Sequence, residues 1–151
     1  MTIRAACVLL VSTGVGVHML PAQATPPAAS DSAQLQGTWA MVSGMASGSA
    51  MPAEYAPTFR RALVGNELRV TSDDRLLFSA TITLNPTVAP KTIDYHMTRG
   101  PSPGAVQLGI YDLRGDTVTF CFARVGAPRP TDFKSETGDG RTVSTWVRAS
   151  P

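Results

Sequence analysis

Between positions 75 and 84 the chain alternates. Leu76, Phe78, Ala80, Ile82 and Leu84 are apolar, and Ser79, Thr81 and Thr83 between them are polar. A period of two places one set on a buried face and the other in water, which predicts a half-buried β-strand. Lys91–Thr98 repeats the pattern, with Ile93, Tyr95 and Met97 set against Thr92, Asp94, His96 and Thr98. Gly37–Gly44, Phe59–Val64, Glu67–Thr71 and Val143–Arg148 read the same way. Gly, Asn, Asp and Pro punctuate these runs, as turns require. No long window shows a helical period. Only Ala53–Arg61 suggests a short helix, against Pro52 and Pro57.

The turns set expected registers. Gly65-Asn66 joins two runs with Leu63 opposite Leu68. Ser72-Asp73-Asp74 closes the next hairpin, with Val70 opposite Leu76 and Leu68 opposite Phe78. Gly100–Gly104 reads as a loop and Asp139-Gly140 as a hairpin turn. Asp112–Asp116 has the chemistry of a three-residue hairpin loop, with Gly115 in the left-handed position. That loop pairs Ile110 with Val118, Leu108 with Phe120 and Val106 with Phe122 on one apolar face. Tyr111, Gly109 and Gln107 then meet Thr117, Thr119 and Cys121 on the other. Cys121 lies off the apolar face, to be covered by a loop, by Tyr111 or by segment 124–135. Eight or nine short strands in up-and-down order predict an all-β protein, a small antiparallel barrel whose closure removes exposed edges. Trp39 and Trp146 open and close it, and Arg148 lies two residues beyond Trp146 on the same face.

The ends of the chain read differently. Residues 1–24 have a basic start at Arg4, an apolar stretch Ala5–Leu20, a break at Pro21 and the small-x-small triplet Ala22-Gln23-Ala24. This is the pattern of a cleaved signal peptide, and it predicts a secreted or periplasmic protein of the cell envelope. The stretch is short for a membrane span and holds Ser12, Gly14, Gly16 and His18, so no span is expected after cleavage. Residues 25–34, rich in Pro, Ala and Ser, read as a flexible spacer, and 35–151 as the single domain.

Charge and chemistry narrow the function classes. The chain has 13 Lys and Arg against 11 Asp and Glu, scattered, with no basic face for nucleic acid. Outside the leader there is one cysteine, so no internal disulfide forms. Cys121, His96 and Asp94 make a nominal nucleophile, base and orienter, but no nucleophile signature surrounds Cys121. One Cys and one His do not make a closed zinc site. No phosphate loop, dinucleotide glycine pattern or nucleophile elbow occurs. The expectation is therefore no catalytic residues, no metal and no cofactor. The Arg114-Gly115-Asp116 triplet is first of all turn chemistry.

Several stretches together carry a resemblance: Leu35-Gln36-Gly37-Thr38-Trp39, Pro90-Lys91-Thr92-Ile93-Asp94, Gly109-Ile110-Tyr111, Gly115-Asp116-Thr117, Cys121-Phe122-Ala123 and Arg129-Pro130-Thr131-Asp132-Phe133. Their order and spacing over Leu35–Arg148 resemble an uncharacterised small domain family abundant in planctomycete proteins, which opens on a Leu-Gln-Gly-Thr-Trp strand. Gly37-Thr38-Trp39 is also similar to the Gly-x-Trp that starts a lipocalin barrel, with Arg148 as the arginine that packs on it. The resemblance implies a lipocalin-like barrel and an envelope setting, and carries no activity.

By that analogy the first functional expectation is non-catalytic binding of a small apolar ligand inside the barrel. Its candidate lining is Trp39, Met41, Phe78, Ile82, Tyr95, Leu108, Phe120 and Phe122. A cavity of roughly 300 Å³ or more would favour it. The alternative is a structural or protein-interaction module of the cell envelope, which an exposed apolar patch near 124–135 would favour. A Cys/His hydrolase is third and needs Cys121 within about 4 Å of His96. The sequence carries no signal for an oligomeric state, nor for whether Cys121 is free or bonds a second chain.

Overall fold

The computed structural model describes residues 29–150, so the expected signal peptide and the start of the spacer lie outside the described residues. Nine strands form one antiparallel sheet. They are β1 (Gly37–Ala46), β2 (Ser49–Ala50), β3 (Phe59–Val64), β4 (Glu67–Ser72), β5 (Arg75–Asn85), β6 (Lys91–Arg99), β7 (Val106–Arg114), β8 (Thr117–Phe122) and β9 (Thr142–Arg148). From β3 onward each strand pairs with the next, and β1 pairs with both β3 and β9. The result is a closed eight-stranded up-and-down barrel, with β2 appended to the end of β1. A 3-10 turn at Ala56–Thr58 stands where the sequence suggests a short helix.

One end of the barrel is shut. A single helical turn, α1 (Asp31–Gln34), begins at Ser30, whose Oγ accepts from the Ala33 amide at 3.2 Å. The Asp31 carboxylate accepts from Lys91 Nζ at 2.8 Å and from the Tyr111 hydroxyl at 2.7 Å. Leu35 and Trp39 are buried behind it, and Trp39 Nε1 donates to the Leu35 carbonyl at 3.1 Å. The Arg148 guanidinium lies 4.4 Å from the centre of the Trp39 ring and donates to the Gln36 carbonyl and to Asp116. A cation over an indole contributes about 0.5–2 kcal/mol. The expected spacer is thus corrected at its end. Residues 31–34 belong to the domain, because Asp31 gives that turn two strong anchors on the barrel.

The opposite end is open, and there β1 and β3 separate. They pair only over Gly37–Ala40, opposite Leu63–Arg60. Above Ala40, a bulge between Met41 and Ser43 keeps β1 on β9. Segment 47–58 occupies the space that β3 leaves.

Two expected registers change. Leu63 does face Leu68. In the next hairpin, however, Asp73 and Asp74 both take positive φ, giving a two-residue turn with Ser72 opposite Arg75. A bulge at Leu77 then sets Val70 against Phe78 and Leu68 against Ala80, so Leu76 is exposed instead of core. The β7–β8 turn is also tighter than expected. Gly115 takes a positive φ of 57° as the first of two central residues, the type II′ pattern. Arg114 therefore faces Thr117, Tyr111 faces Phe120, Ile110 faces Cys121 and Gly109 faces Phe122. The slip is three residues, so every β7 side chain changes face. Gly109, Tyr111 and Leu113 point inward; Val106, Leu108 and Ile110 point outward. Asp139-Gly140 is a turn within a long loop and joins no pair of strands.

That loop, residues 123–141, builds a second small core outside the barrel. Arg129 Nη1 bonds Asp94 Oδ1 at 2.6 Å and the Gly109 carbonyl at 2.8 Å. The loop lies over β7 and β8, and Ile110, Cys121, Ala123 and Pro130 are buried there.

Candidate functional site

The strands carry their inward side chains in layers, and the layers differ. Near the shut end, Trp39, Leu63, Leu68, Ile93, Tyr111, Val118 and Phe120 fill the interior. Nearer the open end the interior is hollow. A cavity of about 470 Å³ is lined by Met41, Met45, Met51, Phe59, Arg61, Val70, Leu77, Phe78, Tyr95, Gln107, Phe122 and Trp146, with backbone and small side chains of 44–50 and 142–144. Its size falls in the range of small-molecule sites. Three methionines stand on one side; flexible thioethers adapt to varied apolar shapes. Leu77, 40% exposed, sits at the rim because the β5 bulge turns it there. A more open depression of about 530 Å³ adjoins on the outer side, between β1 and residues 133–136.

Aromatic contacts hold the wall. Tyr95 and Phe122 have ring centres 4.1 Å apart, and Phe78 lies 5.9 Å from Tyr95. Gly109 explains the position of Phe122: that ring lies directly over it, where any Cβ would collide. Trp146 Nε1 donates to Ser144 Oγ at 2.8 Å, and the Gln107 amide donates to the Ala123 carbonyl at 2.9 Å, so both polar groups are satisfied.

Arg61 is the exception. It points inward between Trp39 of β1 and Val70 of β4, with Phe59 above it and Leu63 below. It marks the boundary between the hollow and filled layers. It is only 2% exposed, and Nε, Nη1 and Nη2 all lack a hydrogen-bond partner. Its guanidinium lies 4.0 Å from the centre of the Phe120 ring. Burial pushes its pKa down, opposed by Tyr95 nearby. Burial likewise pushes Tyr95 up, so the phenol is neutral at physiological pH. A guanidinium stays protonated in proteins even so. An uncompensated buried charge costs several kcal/mol.

Of the expected lining residues, Met41, Phe78, Tyr95 and Phe122 do line the cavity. Trp39, Ile82 and Phe120 are buried but do not line it. Leu108 is on the outer face, a consequence of the β7 slip. Arg61 and Trp146 were missing from that set. The signal for Arg61 was present: pairing Leu63 with Leu68 puts Leu63, Arg61 and Phe59 on one face, and the arginine interrupts it.

The other candidate chemistry is dispersed. Cys121 is 0% exposed, faces away from the Phe120/Phe122 side, and its Sγ lies 3.8 Å from the Lys134 carbonyl. The covering group is therefore segment 124–135 and not Tyr111. Burial pushes the Cys121 thiol up to about 11. Cys121 is a free cysteine. His96 is exposed beside Thr83 Oγ1 at 3.3 Å. Its strand partner is Val106, while Cys121 aligns through Ile110 with Thr92. Four residues along and two strands across, the two are ~16 Å apart. Asp94 serves Arg129 instead. The nominal nucleophile and base are therefore not brought together. In segment 124–135 Pro130 is buried and Phe133 half-buried, while Val125 is 46% exposed. Asp116 of the Arg-Gly-Asp turn pairs with Arg148 at 2.8 Å, at the end of the barrel away from the cavity. Among the described residues, no three His, Cys, Asp or Glu side chains cluster as a metal site, and no helix is long and apolar enough to cross a membrane. No family model, curated protein or solved structure matches this chain.

Proposed function

We propose that this protein is a non-catalytic binder of a small, largely apolar molecule, held in the open half of its barrel. The observation that carries this reading is the cavity of about 470 Å³, walled by Met41, Met45, Met51, Val70, Phe78 and Phe122. Interiors normally pack to crystal density, so an apolar-lined hollow of that size, open at one end, forfeits contacts along its wall. A resident molecule restores them. The shut end supports the same reading, because α1, Trp39 and Arg148 close the barrel below the cavity. The leader pattern of residues 1–24 adds an exported setting, in which the ligand would be met outside the cytoplasm.

Trp146 lines the cavity while Trp39 lies in the filled layer below, so tryptophan emission reports occupancy. Titration with a polarity-sensitive apolar dye should give saturable one-to-one energy transfer from Trp146. That signal should fall in a Trp146→Phe variant that still folds, with Trp39 left as the more distant donor. A linear, unsaturable response would count against an interior site.

A further inference from the structure

The cavity holds one charged group and no counter-charge. No Asp or Glu lines it. Arg61 is 2% exposed, and its Nε, Nη1 and Nη2 have no acceptor. Buried donors and charges are ordinarily paired, so three orphaned donors on one fixed cation call for an explanation. The nearest ionisable neighbour in the wall, Tyr95, is a neutral phenol and does not balance the charge. Stacking on Phe120 at 4.0 Å holds the guanidinium plane while leaving its in-plane donors without partners.

We propose that the ligand is amphipathic: an apolar body carrying one carboxylate, which pairs with Arg61 at the inner end of the cavity while the body runs past Phe122 and Phe78 toward Met45 and Leu77. This rests on the reading that the cavity is a ligand site. The choice of carboxylate follows from geometry and charge. The planar fork of a guanidinium matches a carboxylate in a two-point contact, and one negative charge neutralises one positive charge. A phosphate monoester carries up to two charges at neutral pH, and the second would lie unpaired in an apolar wall. A purely apolar ligand would leave the three donors as they are.

The test compares three probes of equal chain length on the full domain by calorimetric titration: laurate, dodecanol and dodecyl phosphate. Laurate should bind about tenfold or more tighter than dodecanol, the gain expected for hydrogen bonds to a charged group. Arg61→Met should lose that advantage, so that laurate binds no tighter than dodecanol to the variant, with an intact far-ultraviolet dichroism spectrum showing that it folds. If that variant does not fold, the ratio of laurate to dodecanol on the native protein decides. Equal binding of laurate and dodecanol would overturn the carboxylate assignment and leave the apolar-ligand reading standing. So would undiminished laurate binding by Arg61→Met. Tighter binding of dodecyl phosphate than laurate would overturn it in favour of a phosphate ester. Failure of all three probes would instead remove the cavity reading itself.

Discussion

Arg61 shows how much one position can reveal. An arginine on the apolar side of β3 is a local contradiction, and the pairing of Leu63 with Leu68 was enough to expose it. What the sequence did not show was that no carboxylate from any other strand would meet it, because that depends on eight strands closing together. The cost of this side chain leads to a stability prediction. Replacing an uncompensated buried charge by an apolar group of similar volume removes its desolvation cost. Arg61→Met should therefore raise the urea midpoint of the ligand-free protein, and a large drop would show that the guanidinium has partners. Asp31 behaves oppositely. Burial alone would raise its carboxyl, but hydrogen bonds from Lys91 and Tyr111 outweigh burial and hold it below its ordinary value of 3.8. A carboxyl depressed on folding stabilises the protein above its unfolded pKa, and that contribution fades as pH falls through the folded value. Stability should thus be flat above about pH 5 and decline below pH 4. Asp31→Asn should be less stable than the native protein at pH 7, with the gap closing toward pH 3. A gap that stays constant with pH would remove the charge from this account.

The strands themselves were legible, and the hairpin β7–β8 shows where legibility stops. Alternation identifies register only when one face is buried and the other wet. Here the inner face is buried by the barrel and part of the outer face by loop 123–141, which covers Ile110 and Cys121 while Val106 stays exposed. Val106, Leu108 and Ile110 could therefore pass for an inward set as readily as Gly109, Tyr111 and Leu113. The loop itself has no periodic pattern, so its covering role was visible only as a length of chain near Cys121. Arg129 fastens it, through Asp94 and the Gly109 carbonyl. Arg129→Ala should loosen the loop and expose Cys121. With hydrogen bonds to a charged group contributing about 1.5–3 kcal/mol, Cys121 should react with a thiol reagent at pH 8 roughly tenfold faster or more than in the native protein. An unchanged rate would mean that other contacts hold the cover. Gly109 matters for the opposite face. Gly109→Ala must push the Phe122 ring off β7, at about 1–3 kcal/mol, and the ring's way out leads into the cavity. Denaturant midpoints and dye titration should both fall. If stability falls and binding does not, Phe122 has moved elsewhere.

At the scale of the whole molecule, a closed up-and-down barrel was predictable because each of its eight strands has a run of the sequence set between turn residues. Hollowness was not, since alternation shows which way a side chain points and not how far it reaches. The lower layer is full because Trp39, Tyr111 and Phe120 meet there with α1 closing the end. The upper layer is empty because β1 parts from β3 above Ala40 and the wall is finished by methionines. On the proposed reading the sealed end is the floor of the site and the open end its mouth. The most direct test of that division is native mass spectrometry of the protein purified gently from its own host, followed by release of any bound species in the gas phase. The expected result is a chain beginning at Thr25 carrying one small organic molecule, lost at low collision energy and absent from Arg61→Met if it bears a carboxylate. A protein that emerges only at its bare mass, from host material and after incubation with apolar carboxylates alike, would contradict the account.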